Sequence, residues 1–194
     1  MIREARIEDQ HVVVLMIHAA IDDLVNIFTG SWDIKEALAQ MVVLYNTPET
    51  RFSKEYCDII EEDGVVAGIV VSYPAEEMYR LNAGMVRVMA DHFQGTPDEL
   101  ELLQHQIMAS QEAFDDEYYI DSLAVLEAFR GQGKSRKLIE HAEAKGKAAG
   151  YSKVSLLAEA DNDKAYAIYQ KLGYVHDCDL QVLGHMFRHL VKAI

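Results

Sequence analysis

The spacing of apolar positions changes period several times along the chain, and each change marks an expected element. Ile2-Arg3-Glu4-Ala5-Arg6 alternates as a short strand does, with successive side chains on opposite faces. Glu8-Asp9 then offers an N-cap and first-turn acids to an apolar-rich helix from about His11 to Ile27, and a second helix is expected after Ser31, through Leu38 to Val43. Glu55 to Glu62 and Val65 to Tyr73 are β-rich runs separated by Asp63-Gly64, a pair suited to a two-residue turn with positive φ at both positions. Pro74 ends the second run. From Ala75 to Asp116 the pattern is helical, broken near Gly95-Thr96-Pro97, with Thr96 or Asp98 placed to cap a helix through Leu102, Leu103, Ile107 and Met108.

The second half reads as strand Tyr118 to Val125, a glycine loop, helix Ser135 to Ala149 closed by Gly150, strand Lys153 to Ala158, and helix Asp163 to Leu172 closed by Gly173. One last strand is expected over roughly Leu183 to Val191. Strands and helices alternate, which predicts a mixed α/β sheet. With 194 residues, half of them hydrophobic, the chain is sized for one domain with a substantial core.

Composition narrows the setting. Two cysteines, Cys57 and Cys178, are too few for a disulfide scaffold, and charges at Arg3, Glu4 and Arg6 break up the start before any signal-like apolar run, so a reducing cytoplasm is the expected location. Apolar stretches such as Val12 to Ile17 and Val65 to Val71 fall short of the roughly 20 residues that cross a bilayer. The net charge of −14 sets up a field that repels nucleic acid and anionic membranes and favours a cationic partner. None of the eight histidines has Cys or His neighbours at metal-ligand spacing, so no metal site is expected.

The chemistry concentrates after residue 117. Strand Tyr118 to Val125 runs into Arg130-Gly131-Gln132-Gly133-Lys134-Ser135, which opens a helix. A glycine turn at a helix start aims backbone N–H groups and the positive end of the helix dipole at one point, which suits phosphate, and Arg130 adds a charged donor at the rim. Two readings fit the loop alone. One is a P-loop, since Ala128-x-x-x-x-Gly133-Lys134-Ser135 meets the relaxed Walker A pattern; the 60 or so residues that follow are too few for a nucleotide-binding parallel sheet. In the other, Arg130-x-x-Gly133-x-Ser135 resembles the R/Q-x-x-G-x-G/A pyrophosphate signature of the GNAT acetyltransferase superfamily. Ser135 stands there for the usual Gly or Ala, and Lys134 at a position that is often apolar.

A second segment decides between them. Asn162-Asp163-Lys164-Ala165-Tyr166-Ala167-Ile168-Tyr169-Gln170-Lys171-Leu172-Gly173-Tyr174 is similar, in full register, to the GNAT segment N-x-x-A-x-x-[LIF]-Y-x-x-x-G-[FY]. The resemblance, specific over Tyr118 to Tyr174, implies an α+β GNAT fold: a central mixed, mostly antiparallel sheet flanked by helices. Residues 75–116 become a helical insertion between the third and fourth strands, positioned as an acceptor-site lid. It also implies acetyl-CoA as co-substrate, with Leu123 and Val125 supplying backbone amides and Arg130, Gly131, Gln132, Gly133, Lys134, Ser135 and Asn162 contacting the cofactor. Tyr169 becomes the acid that protonates the leaving thiolate. Family analogy also allows a homodimer.

An ammonium must lose a proton before it attacks a thioester. Glu117, Tyr119, Asp121 and Leu123 share a strand face by period two. Asp121 is the preferred base, because some relatives that acetylate polyamines carry an acid there, and Glu117 is held in reserve. The expected activity is N-acetyl transfer to a primary amine, a small cationic one or a lysine side chain, by direct attack in a ternary complex. A non-catalytic acyl-CoA-binding module is the alternative, and Tyr169 is the residue it would not need.

Overall fold

The computed structural model describes all 194 residues. A seven-stranded sheet with the order β1-β2-β3-β4-β5-β7-β6 divides the molecule. Its strands are β1 (Ile2–Glu4), β2 (Cys57–Glu62), β3 (Val65–Pro74), β4 (Tyr118–Val125), β5 (Lys153–Glu159), β6 (Val175–Val182) and β7 (His185–Ala193). Every neighbouring pair is antiparallel except β4 with β5. The sheet is therefore mixed and mostly antiparallel, as the resemblance implied.

Helices α1 (Gln10–Ile21), α2 (Leu24–Thr29), α3 (Ile34–Asn46), α4 (Met78–Ala90) and α5 (Pro97–Ala109) cover one face, where Val13, Ile17, Met41, Phe52, Tyr73 and Leu81 are fully or almost fully buried. Helix α6 (Lys134–Ala148) covers the other with Leu138, Ile139 and Ala142, and α7 (Asp163–Lys171) flanks it through Tyr166 and Tyr169. Alternation in β2 and β3 accounts for both cores: Ile59, Ile69 and Val71 face the first, Ile60 and Val70 the second. No helix is long and apolar enough to cross a membrane.

Several local expectations take a concrete form. Asp63 and Gly64 adopt φ of 50° and 78°, as a two-residue hairpin turn with positive φ requires. Thr96 caps α5 in a capping box with Glu99, ahead of Pro97 at the first helical position. Helices α4 and α5 lie between β3 and β4 in chain order.

Two expectations are corrected and one is sharpened. The helix drawn from His11 to Ile27 is two helices, because Asp22 turns into a positive-φ conformation (47°) that no helix continues through. The helix expected after Ser31 starts at Ile34 and is capped by Asp33, whose side chain accepts from the Lys35 and Glu36 N–H groups. The single last strand is a hairpin of β6 and β7, turned at Leu183 (φ 50°) and Gly184 (φ 93°), so Leu183 lies in the turn. Strand β6 is an edge strand exposed along most of its length, and its sequence Val175-His176-Asp177-Cys178-Asp179-Leu180-Gln181-Val182 carries little of the apolar alternation by which strands are read.

Gly84 is the point where α4 meets the chain after α3. A Cβ there would stand 2.0 Å from the Glu49 carbonyl oxygen, a backbone atom that cannot swing aside. Gly84→Ala is expected to cost about 1–3 kcal/mol through overpacking, read as a lowered urea midpoint with an unchanged slope. A midpoint equal to that of the parent chain would contradict this docking.

Candidate active site

Strands β4 and β5 pair over only three positions, Tyr118 with Val154, Tyr119 with Ser155 and Ile120 with Leu156. Beyond Ile120 they part, and the β5-facing edge of β4 from Asp121 to Val125 has no strand partner. The backbone polar groups along such an edge need other partners. A β-bulge lies at the point of parting. Ile120 opposes Ser72 and Ser122 opposes Val71, which leaves Asp121 as the extra residue of β4. Bulges bend a strand and re-aim a side chain, and this one turns the Asp121 carboxyl into the opening.

Two adjoining cavities fill the space. The larger, about 780 Å³, has an apolar wall of Val12, Leu15 and Met16 from α1 against Leu123 and Val125 of β4, and ends at Arg130, Gly133 and Ser135. The smaller, about 290 Å³, is lined by Arg51, Glu112, Tyr119, Asp121, Asn162 and Tyr169. Ala19 and Leu123 line both. A long apolar channel with a polar loop at one end and ionisable groups at the other has the dimensions and character of a ligand site.

At the loop end, Gly131 and Gly133 have φ of 73° and 75°, and no other chain atom stands within 4 Å of where their Cβ atoms would be. Left-handed backbone, not crowding within the chain, is what selects glycine here. Gly133 is the N-cap of α6, so the first N–H groups of that helix open at the loop. The exposed Arg130 donates from Nε to the Val125 carbonyl (3.2 Å), tying the loop to the strand end. Gln132 instead turns back to the Ala128 carbonyl at 3.2 Å and does not line the cleft.

Lys134 is buried, lies over the Phe129 ring (5.4 Å) and pairs its ammonium with Glu62. A Walker lysine must reach the nucleotide phosphates, whereas this ammonium is committed to the β2 carboxylate. With only one parallel strand pair in the sheet, the loop is not that of a P-loop protein.

The smaller cavity is built around a buried cation. The Arg51 side chain, 2% exposed, makes a bidentate pair with Glu112 (2.6 and 2.7 Å) and a second pair with Asp121 (2.6 and 2.8 Å), and its guanidinium lies over the Phe28 ring at 4.8 Å. Tyr119 donates to Glu112 at 2.9 Å, Tyr73 to Asp121 at 2.5 Å, and Ser122 to the other Asp121 oxygen at 2.9 Å. Burial works to raise Glu112, but the Arg51 charge and hydrogen bonds outweigh it and hold its carboxyl below the ordinary value. For Asp121 burial dominates; Arg51 draws it down, the Glu112 charge pushes with burial, and the carboxyl ends above its ordinary value. The two acids are thereby driven apart in proton affinity.

Tyr169 projects from α7 into the same cavity and packs edge-on against Tyr174 at 6.0 Å. Its hydroxyl makes no hydrogen bond within the chain, and burial raises its pKa, keeping the phenol protonated. Asn162 is the N-cap of α7: its side chain accepts from the Ala165 N–H at 3.0 Å and also lines the cavity. Glu117 is placed elsewhere. It lies just before β4, where β4 and β5 are still paired, accepts from the Phe114 N–H (3.0 Å) and meets His189 at 3.0 Å, and lines neither cavity.

Arg51 and Glu112 were missed by sequence reasoning. They are 61 residues apart and meet only through the tertiary fold.

A parallel pair splayed over a glycine loop, with a channel running from that loop to an ionisable pocket, defines an acyltransferase-type fold. The chain matches the family model described as the acetyltransferase (GNAT) family over residues 18–174, and it belongs to that family. The fold is shared with solved structures. One titled an acetyltransferase is 23% identical with a TM-score of 0.77, covering 100% of this chain and 99% of the other. An N-acetyltransferase from Staphylococcus aureus Mu50 is 24% identical with a TM-score of 0.78, covering 98% and 99%. A PaiA N-acetyltransferase from Thermoplasma acidophilum, solved with coenzyme A, is 12% identical with a TM-score of 0.56, covering 100% and 98%. A search of curated proteins finds no sequence match.

Removing Arg51 would leave two buried carboxylates without their cation. Arg51→Met is expected to cost about 3–5 kcal/mol at neutral pH. The difference should shrink as pH falls. In the parent, Glu112 is held below its ordinary value, so its stabilising contribution is lost on acidification; in the variant both acids would sit above theirs, and that penalty is relieved below those values. Thermal melts of both proteins across the acid range test this, and a gap independent of pH would be the wrong result.

Proposed function

We propose that this protein transfers an acetyl group from acetyl-CoA to a primary amine by direct attack within a ternary complex. The observation that carries the proposal is the opening of β4 from β5 past Ile120, with the loop Arg130–Ser135 at one end of the channel and Asp121 and Tyr169 at the other. The loop glycines, the start of α6, Arg130 and Ser135 suit the pyrophosphate, and the apolar wall of α1 suits a pantetheine arm.

The unpaired edge of β4 near Leu123 and Val125 supplies N–H donors for the pantetheine and for the oxyanion that forms as the amine attacks. Preorganised donors of this kind are commonly the largest single catalytic term. Asp121 accepts the proton that the ammonium must lose, helped by a proton affinity raised above that of an ordinary aspartate. Tyr169 donates its proton to the departing sulfur. No covalent enzyme intermediate is needed, since holding both substrates together supplies the proximity.

A cationic small amine is the favoured acceptor. The pocket sets two carboxylates against one guanidinium, and the chain as a whole carries −14. Glu112 follows α5 at the end of residues 75–116, so this insertion contributes a wall of the acceptor pocket and can act as its lid. A binding module without catalysis would have no use for a protonated, unpartnered Tyr169 in the same pocket as Asp121.

Calorimetry should show saturable binding of acetyl-CoA and none of Mg-ATP; the reverse would overturn the assignment. In a thiol-release assay with a panel of amines, Tyr169→Phe should lower kcat by about 10²–10⁴ with acetyl-CoA affinity nearly unchanged. Turnover equal to that of the parent would remove Tyr169 from the chemistry. Asp121→Asn should abolish the acid limb of the kcat/KM profile, a limb lying above the range of an ordinary aspartate; an unchanged limb would assign the proton to another group.

A further inference from the structure

We infer that the β6–β7 hairpin carries a binding site for a borderline-soft divalent metal of the zinc type, with Asp177, Cys178 and His189 as ligands. The site lies on the opposite side of β5 from the splayed channel and shares no residue with it.

The arrangement comes from a second bulge. His176 opposes Leu190 and Cys178 opposes His189, which leaves Asp177 as the extra residue of β6. In a regular strand neighbouring side chains alternate between faces; here two successive residues are set beside a single histidine on the partner strand. One Asp177 oxygen, the Cys178 sulfur and a His189 ring nitrogen all lie within 4.8 Å of one another. Around a tetrahedral zinc with bonds of about 2.0–2.3 Å, ligand atoms stand roughly 3–4 Å apart. Asp177 is exposed and Cys178 half-buried on an edge strand, so small side-chain rotations close the difference and leave a fourth position toward solvent.

The second observation concerns His189. Its side chain is fully buried, with Nε2 3.0 Å from the equally buried Glu117 carboxylate and Nδ1 3.2 Å from Asp177. Glu117 is itself fixed by the Phe114 N–H at 3.0 Å and lies 3.6 Å from the Lys153 ammonium, while the Phe114 ring packs edge-on to His189 at 5.2 Å. With Nε2–H donating to the Glu117 carboxylate, Nδ1 is the acceptor nitrogen, facing Asp177 and Cys178. This is the carboxylate–histidine–metal relay by which metal-binding histidines are oriented and made more basic. Binding would convert the Cys178 thiol to a metal-bound thiolate and release its proton to solvent. The ligand set of one thiolate, one imidazole and one carboxylate suits zinc, or cobalt as its spectroscopic substitute, over magnesium or calcium.

The test is a cobalt titration of the reduced, chelator-stripped full-length protein. We expect saturation at one equivalent with a thiolate-to-cobalt charge-transfer band, displaced by zinc. Only one other cysteine exists, Cys57, and it is 1% exposed in the core, so the band reports Cys178. Cys178→Ser should abolish the band and weaken zinc binding at least tenfold in competition with a chromophoric chelator. Glu117→Gln should keep the band and weaken binding ten- to a hundredfold. Absence of the band in the parent, or equal zinc affinity in the parent and Cys178→Ser, would overturn the site and leave only adventitious binding by other histidines.

Discussion

Strands β4 and β5 are joined at Tyr118, Tyr119 and Ile120 and nowhere beyond. Parallel strands normally continue side by side, because an unpaired backbone edge inside a protein is costly. Here the separation is held open from both sides. The bulge at Asp121 bends β4, α1 packs over β4 on one face, and α6 packs beneath β3 and β4 on the other, with Gly146 so close that a Cβ would stand 2.8 Å from Tyr118. The helices hold the paired part of β4 firmly, and the unpaired part becomes the wall of a channel.

Arg51 performs the matching task at the inner end. The chain before β2, the end of the α4–α5 insertion and the bulge of β4 come from three separate stretches of sequence, and the guanidinium binds a group from two of them directly, Glu112 and Asp121. Its fork geometry suits this role: five donors in one plane can serve two carboxylates at once, which a lysine ammonium does less well. Two buried acids beside one cation cannot have equal proton affinities. The bidentate partner keeps its charge, and the other is left with the raised affinity. One buried guanidinium thus joins the parts of the pocket and sets the difference between its acids.

The chain's local rules were legible wherever the backbone chemistry is short-range. The Asp63-Gly64 turn, the Thr96 cap and the glycine loop before α6 are each written in two to six residues, and the register of Asn162 to Tyr174 with its family segment needed no tertiary knowledge. What escaped is long-range or off-period. Asp22 carries no signal for a helix break, and β6 is an exposed edge strand in which polar residues cost nothing. The Arg51–Glu112 pair closes over 61 residues. The ion pair of Lys134 with Glu62 at the end of β2 likewise joins residues far apart in the chain.

Glu117, Tyr119, Asp121 and Leu123 share one strand face by period two, and the last three do line the inner cavity together. Glu117 departs from them because it lies on the closed side of the splay, where β5 and then β7 stand alongside and His189 is within reach. A carboxylate placed before the point of parting is sealed against a neighbouring strand, and one placed just after it opens into the channel. Two of the sheet's bulges make the same use of an extra residue: at Asp121 and at Asp177 an aspartate is the residue without a strand partner, and in each case its carboxylate is brought to a charged or ring-nitrogen partner, Arg51 in one and His189 in the other. Where the pairing rule is broken, a side chain can leave the alternation that the core imposes on its neighbours and meet groups from other elements.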